Sequence, residues 1–174
     1  MSKQPDFIKL WQHVSSQFRC GSDSIHGPPH WKRVEQNGLL LASRTGADVV
    51  VVRLFAVFHD SQRVNESKDD GHGVRGAEFA ASLRGSLFDI PDAAFALLHD
   101  ACAGHTDKQQ TTDPTVGSCW DADRLDLGRA AIIPHERFMS TAFGREIARC
   151  GSVYPFLPNA QHGQSGGLNV SDQI

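Results

Sequence analysis

Apolar residues recur at three- and four-residue steps along most of this chain. Phe7, Leu10, Trp11, Val14 and Phe18 mark an amphipathic helix over about residues 5–19, with Pro5 where a first turn tolerates a missing N–H. The stretch "CGSDSIHGPP" breaks the pattern. A second helix over residues 29–45 carries Val34, Leu40 and Leu41 and stops at Gly46. Asp48 is placed to cap the next segment, "VVVVRLFAVFHDSQRV". Its four valines suit a buried strand, but some sixteen residues without a turn signal are too long for one. A helix apolar on every side is what a central, fully surrounded helix looks like.

After the polar "NESKDDGHG", Val74, Ala77, Ala80, Ala81 and Leu83 predict a fourth helix reaching about residue 88. Pro91 and Asp92 open a fifth, to about residue 104. Asp113 and Pro114 supply a cap and a first-turn proline for a sixth through "TVGSCWDADRLDLG", and Pro134 opens a seventh, to about residue 150. Residues 151–174, rich in Gly, Pro, Ser, Asn and Gln, read as a partly disordered surface tail. The expectation is an all-α single domain over residues 1–150 followed by that tail.

Composition narrows the class. At 174 residues and 40% hydrophobic content there is room for one core and no second full domain. Seventeen basic against twenty acidic residues give a net charge of -3, which carries no footprint for duplex nucleic acid or an anionic membrane. Cys20, Cys102, Cys119 and Cys150 are scattered without a CxxC pair, the pattern of reduced thiols in a cytoplasmic protein. Charges interrupt the N-terminal apolar residues, so neither a signal peptide nor a membrane span is expected. Nine histidines are the one oddity.

Two of their neighbourhoods carry chemistry. His59 and Asp60 end the most apolar segment, where an imidazole and a carboxylate are costly to desolvate unless a shared cation compensates. Further ligands are on offer at His30, in "HWKRV", and at Asp123, in "DADRLDLG". Two His and two Asp form a mixed nitrogen and oxygen set suited to Mn, Fe, Co, Ni or Zn, and less comfortably to Mg. A His-Asp pair alone is common by chance, as His99 with Asp100 shows.

The ordered set resembles the HD domain superfamily of metal-dependent phosphohydrolases. "HWKRV", "FHDSQRV" and "DADRLDLG" are similar to its three signature segments, over about residues 26–129. "HDSQR", "HGVRGAE" and "DPTVGSCWDADRLDLGR" look most like a branch of small, largely uncharacterised members. The resemblance implies an HD-type bundle of six or seven helices with metal ligands His30, His59, Asp60 and Asp123. It favours Asp123 over Asp121, because "ADRL" is where such proteins carry the last ligand. It also implies hydrolysis of a nucleotide or another small phosphate ester by metal-activated water.

Around that set the residues leave alternatives. Asp60, ligating through one oxygen, has the other for the water's proton. Arg33 is one helical turn after His30 and either clamps phosphate or pairs with Glu35 or another acid. Arg63 and Glu66 border the pocket as a phosphate clamp and an acid or base, or are solvated charges. Arg124 and Asp126 orient a ligand from behind, or Asp126 pairs with Arg129. His72 and His105 hold a second metal, contact substrate or cap helices. His26 is close enough to His30 to line the mouth, and His13, His135 and His162 read as surface residues. A two-metal phosphodiesterase, a diiron oxygenase and a non-catalytic nucleotide- or metal-binding module are the alternatives to the phosphohydrolase.

Overall fold

A computed structural model describes residues 5–157. Among the described residues there are seven α-helices: α1 (Phe7–Ser16), α2 (Pro28–Thr45), α3 (Val49–Phe58), α4 (His72–Leu83), α5 (Asp92–Gly104), α6 (Pro114–Arg124) and α7 (Ala142–Cys150). Short 3-10 turns occupy Leu127–Ala130, Glu136–Phe138 and Tyr154–Phe156. Among the described residues the only extended pairing is an isolated bridge between Arg84 and Phe88. His162 and most of the tail lie outside the described residues. The tail's first residues are packed, with Val153 and Phe156 against the core.

The valine-rich segment is the axis of the bundle. From Val51 to Phe58 every residue except Arg53 is buried, each Val, Leu or Phe side chain contributing about 1.5–3 kcal/mol if fully withdrawn from water. α2, α5 and α6 pack around α3, α4 crosses its C-terminal end, and α1 covers another side. Arg53 is carried at the edge, where it pairs with Glu35 and stacks on Phe7. Asp48 accepts from the N–H groups of Val50 and Val51, and Asp113 from those of Thr115 and Val116.

Several helix ends differ from the periodicity: α1 stops at Ser16 rather than about residue 19, and α6 at Arg124 rather than 128. α3 stops at Phe58 rather than running to residue 64, because Ser61 turns back and gives both its N–H and its hydroxyl to the Phe58 carbonyl. α4 stops at Leu83, short of residue 88, where Gly85 takes the left-handed φ of 81° that a turn demands. Pro134 opens only a short turn. α7 begins at Ala142 because Asp121, buried in α6, accepts the N–H groups of Ser140 and Thr141 and the Thr141 hydroxyl at 2.7–2.8 Å. That holds the preceding segment extended and makes Thr141 the cap.

Among the described residues no helix is long and apolar enough to cross a membrane. All four cysteines are free, with Cys102 and Cys119 buried.

Candidate metal centre

The local rules that end these helices bring their termini to one place. His30 is the third residue of α2, behind the two prolines that start it. His59 and Asp60 follow the last residue of α3, His72 is the first residue of α4, His105 directly follows α5, and Asp123 is the penultimate residue of α6. α2 is tied to α6 by Asn37, which donates to the Ala122 carbonyl. Trp31 donates to the His26 carbonyl and fixes the loop before α2.

Two groups result. His30, His59 and Asp60 form one, Asp60, His72 and His105 the other, and all five residues are buried. Asp60 belongs to both through different oxygens. Its Oδ2 lies 3.6 Å from His30 Nε2 and 3.7 Å from His59 Nε2, while its Oδ1 lies 3.1 Å from His72 Nε2 and 3.6 Å from His105 Nε2. Asp123 Oδ1 joins the first group, 3.2 Å from His30 Nε2 and 3.9 Å from His59 Nε2.

Hydrogen bonds behind the rings settle their tautomers. A carbonyl only accepts, so His59 donates from Nδ1 to Phe55 and Ala56, His72 to Asp69, and His105 to Cys102. His30 donates from Nδ1 to Asp126 at 2.7 Å. Every Nε2 therefore turns a lone pair inward. His30 and His59 oppose these lone pairs at 3.1 Å, and His72 and His105 at 3.0 Å. Asp60 Oδ1 and Asp123 Oδ1 are buried without a hydrogen bond. Such an assembly is repulsive until a cation enters, and its donors suit a divalent metal at each group. The residues fit the ions that the sequence implies.

The electrostatics agree. Burial pushes His59 down to about 3, so it stays a neutral donor. Burial works to raise the Asp60 carboxyl, but the ring of His59 and those of His105, His26 and His72 around it outweigh burial and hold Asp60 well below the usual carboxylate range. Burial also opposes a proton on His30, yet Asp123 and Asp126 raise its pKa. Carboxylates that stabilise a proton there stabilise any cation in its place.

The remaining sequence candidates divide. Asp126 sits behind His30 and also accepts from Arg33 Nε at 2.7 Å. Arg33 thus pairs with Asp126 rather than Glu35, and its side chain is 44% exposed at the rim. Arg63 is buried, with one guanidinium nitrogen 3.2 Å from His72 Nε2 and 3.6 Å from Asp60 Oδ1. His26 lies at the mouth, 3.1 Å from Asp60 Oδ2. Glu66 is exposed on the loop after α3 and makes no hydrogen bond or ion pair among the described residues. Arg124 does not stand behind a ligand; its guanidinium donates to the carbonyls of Lys108, Gln109 and Phe138 and clamps two loops together. Asp121 is engaged with α7, and His99 and Asp100 are exposed on α5. Sequence reasoning undervalued Arg129, whose guanidinium lies 3.8 Å from Asp123 Oδ1 and donates to the Asp126 and Ile25 carbonyls. Its three-residue step from Asp126 was the available signal.

Asp126→Ala leaves the metal-facing atoms in place and frees the His30 ring. Metal affinity is expected to fall about 10–100-fold, measured by competition with a chromogenic chelator, with little change in helicity.

No family model and no curated protein matches the chain. A solved structure does. A protein from an uncultured Thermotogales bacterium, described as a predicted HD superfamily hydrolase, matches with a TM-score of 0.68 at 25% identity, covering 84% of this chain and 84% of that one. This chain has the HD-domain fold. In this HD domain the His59–Asp60 pair sits where α3 ends, and the all-helical architecture expected from periodicity is the one observed. The buried His and Asp groups of the HD domain are suited to binding metal and fit a metal-dependent hydrolase.

Proposed function

We propose that this HD domain is a metal-dependent phosphohydrolase with a two-cation centre, acting on a small phosphate ester such as a nucleotide. The observation that carries the reading is Asp60, which turns one carboxylate oxygen to each of two His groups. His30, His59, Asp60 and Asp123 would hold one ion, and Asp60, His72 and His105 the other. When bound, divalent cations supply Lewis acidity, acidifying water and polarising a phosphoryl oxygen.

The chain's own residues set the rest. With one oxygen of Asp60 turned to each His group, neither would be left as a proton acceptor once both groups held a cation. Asp126 fixes the His30 ring. Arg33 and Arg129 flank the Asp123 side, where guanidinium groups match phosphate oxygens. Arg33 also reaches solvent, so it is the residue we assign to first contact with the substrate phosphate. His26 holds Asp60 from the mouth. Glu66 has no part in the centre.

Arg63 makes the two ions unequal. Its fixed positive charge lies against the second group, which has Asp60 as its one carboxylate where the first has Asp60 and Asp123, so a cation would be held less tightly there. Stepwise titration with Mn is expected to show two sites of distinct affinity, and His105→Ala should delete the weaker one. Two equal sites, unaffected by that substitution, would count against the assignment.

The functional test is a panel of phosphomonoesters, phosphodiesters and nucleotides assayed with Mg, Mn, Co, Ni, Zn and Fe, alongside metal analysis. Metal-dependent phosphate release is expected. Full metal occupancy with no release from any member of the panel would favour a non-catalytic binding module.

A further inference from the structure

Beside the centre lies a cavity of about 260 Å³, between the loop after α5 and the segment after α6. Leu127, Ile132, Ile133, Phe138 and Met139 make its apolar wall, five of the eleven residues that line it. Three of these are apolar side chains left open to solvent: Ile132 is 52% exposed, Ile133 83% and Phe138 39%. Grouped exposed apolar residues on a small domain mark a contact with something apolar.

Its position relative to the centre is set by chain neighbours. Thr106 lines the cavity, follows His105, and places its hydroxyl 3.3 Å from His72 Nε2. Leu127 lines it and follows Asp126. One wall thus continues from the second His group and the other from the residue that orients His30. The cations in the wall are committed elsewhere. Arg124 gives its guanidinium to three backbone carbonyls, and Lys108 is paired with Asp100. The guanidinium and ammonium groups of the wall are therefore not free for a phosphate. The cavity is also below the roughly 300 Å³ at which sites for whole drug-sized molecules begin, so it takes part of a ligand.

We infer that this cavity is the specificity pocket for the organic group of the substrate, and that the substrate class is a phosphate ester carrying an apolar or aromatic group of about one ring. This rests on the phosphohydrolase reading: the phosphate lies at the His and Asp centre, and the ring passes Thr106 into the apolar wall. Chains of similar size and more polar character lose this contact, and each group that does enter contributes discrimination of about 10- to 200-fold per methylene-scale difference at most.

Non-hydrolysable probes separate this assignment from turnover. Phenylphosphonate and methylphosphonate are titrated into the Mn-loaded full chain by calorimetry, with Ile132→Asp and Ile133→Asp as variants at exposed positions that leave the core intact. Phenylphosphonate is expected to bind at least about tenfold more tightly than methylphosphonate to the unsubstituted chain. In either variant the two affinities should come within about twofold, with methylphosphonate binding and metal content unchanged. Equal affinities in the unsubstituted chain, or a phenyl preference that survives both substitutions, overturns the pocket while leaving the hydrolase reading standing. Failure of both phosphonates to bind the metal-loaded chain overturns the hydrolase reading and the pocket with it. Sedimentation of the same samples covers the remaining occupant: a dimer that the aspartates dissociate, without a phenyl preference, makes this face a contact between copies and also overturns the pocket.

Discussion

Asp60→Ala is expected to empty both metal positions at once and to lower phosphoester hydrolysis by at least about a hundredfold, the scale lost with a single well-placed electrostatic stabiliser. Other donors serve one group each. Asp60 alone presents Oδ2 to His30 and His59 and Oδ1 to His72 and His105. Without it, four inward imidazole lone pairs remain with only Asp123 to balance a dication, and only on one side. Asp123→Ala provides the contrast, because it removes a donor from the first group alone and should leave the His72 and His105 position able to bind. Metal content by elemental analysis, with circular dichroism to establish that the variants fold, checks both. Normal occupancy in Asp60→Ala would remove the basis for a shared centre.

Gly76→Ala is expected to give a large loss of stability although it adds a single methyl group. α4 crosses α3 so closely that a Cβ at Gly76 would stand 2.4 Å from the Phe58 carbonyl oxygen and 3.2 Å from that of His59. These are backbone atoms and cannot swing aside, so α4 has to move. Overpacking of this kind costs about 1–3 kcal/mol. For a domain of this length, about 2 kcal/mol corresponds to a fall in melting temperature of roughly 4–8 °C, measurable by calorimetry. The displaced helix carries His72, so the second metal position should weaken more than the first. Gly73 reports the same closeness, since a Cβ there would lie 2.3 Å from the Cys102 carbonyl oxygen and 3.0 Å from His105 Nδ1. A variant Gly76→Ala that melts with the parent chain would show that this helix crossing is not a tight constraint.

These contacts mark the boundary of what was legible in the chain. Helix existence was legible from repeats of three and four, and α3 from apolar residues on every side, because burial leaves a local pattern. Asp48 and Asp113 were legible as caps for the same reason. The helix ends that were misread depend on partners far along the chain. Pro134 is a good local start signal, but Asp121 draws Ser140 and Thr141 into an extended segment and delays α7. Arg124 and Asp126 look alike in sequence as neighbours of Asp123. In space one clamps the carbonyls of Lys108, Gln109 and Phe138, whereas the other holds His30.

The clustering of histidines was visible only in outline. His30, His59, Asp60 and Asp123 stood out through their resemblance to a family pattern, while His72 and His105 were histidines at predicted helix ends. What joins them is the split role of the two Asp60 oxygens, and a role that depends on carboxylate orientation has no signature in residue order. Arg63 and Glu66 illustrate the same limit. Close in sequence, one is buried against His72 and the other faces solvent.

The most direct measurement is anomalous diffraction from crystals of the Mn-loaded chain. Two peaks are expected, about 3.5–4 Å apart, one on each side of the Asp60 carboxylate. Peaks only at sites away from His59 and Asp60, or no peak near them at saturating Mn, would contradict the existence of a metal centre built on that residue.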